Sequence, residues 1–184
     1  MKITEKKYWQ SVWDKFRDGD REAFKTIYNE FIDVLFAYGS RITSNTSLLE
    51  DAIQDVFVDV YTYGKKLHHP EFLQYYLFKS LKNSIVRKLK ENRRFDYSNN
   101  DGLLFELKFP IEEQDNEQQL DEQLLLLKEE IKNLDSRKRE LLFLKFNSEL
   151  TYTEIGQLLN LKPNTVKKQV QRTLKYFKER FQSK

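Results

Sequence analysis

LDSRKRELLFLKFNSELTYTEIGQLLNLKPNTVKKQVQRTLKYFKERF, Leu134 to Phe181, decides how this chain is read. Its second half, from Pro163, sets apolar residues at Val166, Val170, Leu174, Phe177 and Phe181, a helical spacing. Between them stand Lys167, Lys168, Arg172, Lys175, Lys178 and Arg180, opposed only by Glu179. A shorter helical segment, TYTEIGQLL, precedes it. There Thr151 and Glu154 have the spacing of a capping box, and Pro163 suits the first position of the helix that follows. A short helix, a tight turn and a longer helix with a basic outer face form a helix-turn-helix of the kind that reads a DNA major groove. Groove contacts concentrate in the first turns, at Asn164, Thr165, Lys167, Lys168, Gln171 and Arg172. Lysine and arginine mostly hold phosphates, while Asn, Gln and Arg can also read base edges.

Outward from this motif, the chain is helical throughout. Five glycines and three prolines interrupt 184 residues, and no alternating strand pattern stands out, so an all-α fold of two small domains is expected. A first helix is predicted over Tyr8–Arg17, broken at Asp18-Gly19-Asp20, with Asp20 as cap of the next. The second helix sets Phe24, Ile27, Tyr28, Phe31, Leu35, Tyr38 and Ile42 on one face. Ser47 and Glu50 suggest a capping box for a third, which buries Leu49, Ala52, Ile53, Val56, Phe57 and Val60. After a loop, Gly64 to Pro70, a fourth helix begins near Glu71 with Leu73, Leu77, Leu81, Ile85 and Leu89 inward. Residues 1–95 form the first domain, 96–122 an acidic linker, and 123–184 the second domain. Leu103, Leu104, Phe105, Leu107, Phe109 and Ile111 are unusually apolar for a free linker.

Charge is segregated. Lys79 to Arg94 is basic, Asp101 to Glu122 is acidic, and the last helix is basic again, although the net charge is only +3. That alternation fits two nucleic-acid-facing modules on an acidic linker. With no cysteine there is no disulfide framework and no thiolate metal site. His68-His69 have no third ligand at a recognisable spacing, so no metal and no cofactor is implied. The N-terminus lacks the apolar core of a signal peptide, and no apolar run is long enough to span a membrane, so a soluble, cytoplasmic protein without membrane insertion is expected. No nucleotide-binding or hydrolase motif is present, and no enzymatic activity is expected.

Two further clusters have open readings. Asp51, Asp55 and Asp59 recur every four residues, where like charges cost about 0.2–0.5 kcal/mol per pair. They are either a solvated face or a seat for a basic partner. Phe72, Tyr75, Tyr76 and Phe78 lie beside Lys79, Lys82, Asn83, Arg87 and Lys88. These rings either pack in the core or stack on single-stranded bases; Tyr75, one turn from Lys79 and off the leucine stripe, is the one expected outside.

Taken in order, these segments resemble a bacterial RNA polymerase sigma factor of the extracytoplasmic-function (ECF) type. GDREAFKTIYNEF resembles the family's opening helix, and LLEDAIQDVFVDVY its polymerase-binding helix. YLFKSLKNSIVRKLKENRR resembles its promoter-melting helix, and the C-terminal motif its −35 reader. The resemblance implies a transcription initiation factor with three partners: core RNA polymerase (β′ clamp helices and β flap), promoter DNA and, in many members, an anti-sigma factor. It implies polymerase binding by Glu50, Asp51, Gln54, Asp55 and Asp59. It implies −10 contacts by Lys65, Lys66, His68, Tyr75, Lys79, Lys82, Asn83 and Arg87, with a flipped base taken by the loop Lys65 to Glu71. The −35 contacts fall on the recognition-helix residues named above. The sequence departs from the family's habits at Tyr76 (commonly Trp), Arg87 (commonly Asp), Gly156 (commonly Ala) and Lys162 (commonly a capping Ser). The alternative is a stand-alone helix-turn-helix regulator that binds duplex DNA without polymerase.

Overall fold

The computed structural model describes residues 3–64, 73–93 and 122–182. Among these, all regular structure is helical, and the chain divides into two compact units, Met1–Leu103 and Leu104–Lys184. The loop carrying Lys65, Lys66 and His68, and the expected linker with its apolar segment, lie outside the described residues.

The first unit contains α1 (Ile3–Arg17), α2 (Arg21–Gly39), α3 (Thr46–Tyr63) and α4 (Leu73–Arg93). α1 begins earlier than the sequence pattern suggested, because Ile3–Lys7 continues the helix without a breaker. It stops at Gly19, whose φ of 100° only glycine adopts cheaply. There Asp20 N–H donates to the Lys15 carbonyl and Gly19 N–H to that of Phe16, the paired bonds of a Schellman end. Asp20 then caps α2 by accepting from Glu22 and Ala23 N–H. α3 is capped by Asn45, not by Ser47: the Asn45 side chain accepts from Leu48 N–H, so Ser47 already lies inside the helix.

Trp13, Ile27, Leu35, Tyr38, Ala52, Val60, Leu77, Phe78, Leu81 and Ile85 are wholly buried where the four helices meet. Leu89 is only half-buried, since the end of α4 runs past the core. Phe78 is buried and packs against Tyr38 with ring centroids 4.9 Å apart, which settles it as a core residue rather than a base-stacking one. The expected face of α2 is corrected at Tyr28, which is exposed, and at Ile42, which lies beyond the helix end. Ala23 and Gly39 join the buried stripe, the glycine because Leu49 of α3 lies where its side chain would be.

The second unit contains α5 (Glu122–Lys132), α6 (Ser136–Leu142), a widened π-helical turn (Phe143–Asn147), α7 (Tyr152–Leu159) and α8 (Pro163–Gln182). Its core is Leu141, Phe143, Leu144, Leu150, Ile155, Leu159, Val166 and Val170. Thr151 and Glu154 form the expected reciprocal capping box, and Pro163 opens α8. The stripe of α8 departs from expectation at one place. Leu174 is 42% exposed, whereas Thr173 is 5% exposed. At about 100° per residue Thr173 falls next to Val166 and within about 60° of Val170 and Phe177, whereas Leu174 falls about 80° from Val166, outside the stripe. The buried hydroxyl is satisfied by donating to the Gln169 carbonyl at 3.0 Å.

A candidate promoter and polymerase interface

In the second unit, α7 and α8 form the helix-turn-helix. Asn160 ends α7 in the left-handed region at φ 54°, which asparagine tolerates better than most residues. Leu161 N–H donates to the Gly156 carbonyl at 2.7 Å, and Arg137 of α6 donates to the Leu159 carbonyl. The turn is therefore held by backbone and by a charged side chain, which fixes the angle at which α8 leaves. Asn164, Lys167, Lys168, Gln171 and Arg172 are exposed, and Thr165 is half-buried. One helical surface thus offers amide, ammonium and guanidinium groups together, the chemistry that suits phosphates and base edges.

The far end of α8 does something else. Arg180, read from sequence as part of the basic face, reaches Glu130 of α5 at 2.9 Å, and the Tyr176 hydroxyl donates to the same carboxylate at 2.5 Å. Glu130 is only 5% exposed, so without these donors it would be a stranded buried charge. The hydrogen bonds from Tyr176 and Arg180 hold its carboxyl below the ordinary glutamate value and outweigh the opposing effect of desolvation. A lowered folded pKa means the stabilisation is complete above the ordinary value and drains away as pH falls through the folded one. Glu130→Gln is expected to lower the thermal midpoint of the second unit at neutral pH. The gap between variant and parent should narrow on acidification, as scanning calorimetry across pH will show; a gap independent of pH contradicts it.

In the first unit, α3 presents the acidic residues. Glu50, Asp51, Gln54 and Asp59 are exposed. Asp55 is not a free member of the set: its Oδ2 accepts from Ser84 at 3.2 Å, from Arg87 at 3.3 Å and from Lys88 at 3.0 Å, all on α4. Partial burial pushes its carboxyl up, but the Lys88 and Ser84 hydrogen bonds and the Lys88 and Arg87 charges together hold it below the ordinary aspartate value. Of the residues expected at the −10 element, Lys79, Asn83 and Arg87 are exposed, and Tyr75 and Lys82 are half-buried. Lys79 Nζ lies 5.5 Å from the Tyr75 ring centroid, a cation–π distance, so an aromatic ring and an ammonium group sit side by side on α4.

One feature of α2 and α3 was not anticipated. An open groove of about 590 Å³ lies between them, lined by Phe24, Tyr28, Phe36, Phe57, Val58 and Tyr61 among others, with Glu50 and Gln54 also in its lining. Tyr28, Phe36, Val58 and Tyr61 are exposed there. The available signal was that α2 carries more large apolar residues than one core stripe needs. Among the described residues no cluster of His, Asp and Glu suits a metal ion, and no helix is long and apolar enough to cross a membrane.

Residues 124–176 match the family described as sigma-70, region 4. The helix-turn-helix lies within that match. The region 4 match spans the capping box, the turn and the basic first turns of α8. Two solved structures share the fold of the chain. The sigma factor RpoE from Bartonella quintana, crystallised with the anti-sigma factor NepR, is 18% identical with a TM-score of 0.57. That likeness covers 85% of this chain and 94% of RpoE. CnrH, in complex with the cytosolic domain of CnrY, is 16% identical with a TM-score of 0.55, covering 95% of this chain and 97% of CnrH. No curated protein matches in sequence. The resemblance to an ECF sigma factor is thus borne out in the region 4 domain and in a likeness of fold that takes in the first unit as well.

Proposed function

We propose that this chain is a transcription initiation factor that binds core RNA polymerase and directs it to promoters. The observation that carries this reading is the region 4 match over the same residues whose outer surface is basic and exposed, Lys167, Lys168, Gln171 and Arg172. In this reading α8 enters the major groove at the −35 element. Tyr75, Lys79, Lys82 and Asn83 of α4 follow the melted −10 strand, together with Lys65, Lys66 and His68 of the preceding loop. Glu50, Asp51 and Gln54, beside the apolar groove, receive the basic clamp helices of polymerase β′. A largely apolar groove that includes Glu50, with Asp51 exposed on the same helix, fits an amphipathic helix that carries lysine or arginine at its edge. An anti-sigma protein is proposed as a further partner, because RpoE was crystallised with one.

A stand-alone regulator needs only the second unit. A likeness of fold extending over 85% and 95% of the chain favours the two-unit reading. In vitro transcription with purified core polymerase on genomic fragments tests it: discrete start sites are expected only when the chain is added. Tight duplex binding by the chain alone, with no new transcripts on adding polymerase, would support the regulator instead. Arg172→Ala is expected to weaken −35 duplex binding by about 1–3 kcal/mol, selectively against the preferred sequence, if Arg172 reads a base. Equal losses on preferred and scrambled duplexes would assign it to phosphate.

A further inference from the structure

In the resemblance drawn from the sequence, Asp55 and Arg87 belong to opposite tasks. One is expected to meet polymerase and the other DNA. In the folded chain they meet each other. Asp55 Oδ2 collects Ser84, Arg87 and Lys88 within 3.0–3.3 Å, from side chains on α4 that are 29 to 33 residues away in sequence. The contact is open on the Arg87 side, where the Asp55 side chain is 38% exposed and that of Arg87 62%, and more enclosed at Lys88, whose side chain is 23% exposed. Ion pairs this open are individually weak, so a cation from outside can replace one without unfolding the helices.

The local chemistry has a direction. Ser84 is buried on α4, and its hydroxyl donates to the Asp55 carboxylate independently of the two cations. Arg87 and Lys88 carry long side chains that can swing from the carboxylate to a phosphate while their backbone stays in place. While they rest on Asp55 part of their charge is cancelled, which lowers what they can contribute to a nucleic acid.

We propose that Asp55 is an exchange point between the two tasks: in the free protein it holds Arg87 and Lys88 in cis, and a basic group of the polymerase displaces them, freeing both for the DNA strand. The inference rests on the functional reading above. It makes DNA binding by the first unit conditional on polymerase through a local competition, with no movement of helices required. Competition is reciprocal, so whatever removes the cis cations also strengthens the polymerase contact.

The test uses the full chain. Asp55→Asn and Asp59→Asn remove the same charge from the same helix, but only the first removes the cis acceptor. Binding of a fluorescently labelled single-stranded oligonucleotide, without polymerase, is followed by anisotropy against salt. Asp55→Asn is expected to bind about 3- to 10-fold tighter than Asp59→Asn at low salt, with a slope of log K on log salt steeper by about 0.7–1.4, one or two added phosphate contacts. Equal gains in the two variants overturn the exchange. A second arm guards against a folding defect at Asp55: the paired variant Arg87→Gln with Lys88→Gln, altered at flexible cationic tips, is expected to bind core polymerase about threefold or more tighter than the parent. Unchanged polymerase affinity overturns the exchange and leaves the functional reading standing. A parent chain that does not bind polymerase at all overturns both.

Discussion

Glu50→Lys combined with Asp51→Lys is expected to cut capture of core RNA polymerase by about 100-fold or more, roughly 3 kcal/mol, while the chain stays folded. Both side chains are exposed on α3, so neither substitution opens a cavity or strands a buried group. Two lysines would face the basic surface that this acidic face is proposed to receive, and like charges at an interface cost several kcal/mol. The helix itself loses little, a few tenths of a kcal/mol from placing cations near its N-terminus. Asp55 is left alone in this variant for a structural reason. Reversing it would set a lysine against Arg87 and Lys88 and confound a binding defect with a loosened α3–α4 contact. Pull-down and a thermal melt together decide the matter. Undiminished capture of polymerase would remove this face of α3 from the interface.

The second large effect concerns a residue that is not on any interface. Gly156→Ala should raise helix propensity in α7 by about 1 kcal/mol if the helix were considered alone. The fold reverses that sign. A Cβ at position 156 would stand 2.6 Å from the Leu161 carbonyl oxygen and 3.4 Å from Pro163 N, both backbone atoms of the turn. The same turn is tied to Gly156 by the Leu161 N–H bond, so it cannot back away without giving up that bond and shifting the start of α8. Overpacking of this kind costs about 1–3 kcal/mol. The expected outcome is a destabilised region 4 domain and weaker −35 binding, with unfolding of the first unit unaffected. A more stable variant with unchanged duplex affinity would show that the turn relaxes freely.

Much of this protein could be read directly from the order of its residues. The caps at Asp20 and Thr151 were legible because capping depends on residues three or four apart, and the start of α8 at Pro163 because proline suits the first helical position. So were the buried stripes of α3 and of the first part of α4, since burial follows the 3.6-residue period. Errors arose where two local signals competed. Ser47 and Asn45 both suit a cap, and the backbone enters α3 at Asn45. Leu174 is more apolar than Thr173, but the helix phase puts the threonine inside.

The functional surfaces divide along the same line. The basic face of α8 and the acidic residues of α3 are local facts of composition on a helix, and the sequence alone determined them. It also determined the all-helical class and the helix-turn-helix. Only the tertiary structure decided which charges are spoken for: Asp55 by three groups of α4, and Glu130 by Tyr176 and Arg180. It alone disclosed the apolar groove between α2 and α3 and the backbone contact that makes Gly156 a packing requirement rather than a propensity cost. The physical reason is range. Helical periodicity is written within a few residues, whereas an ion pair across some 30 or more positions exists only once packing has brought the two helices together.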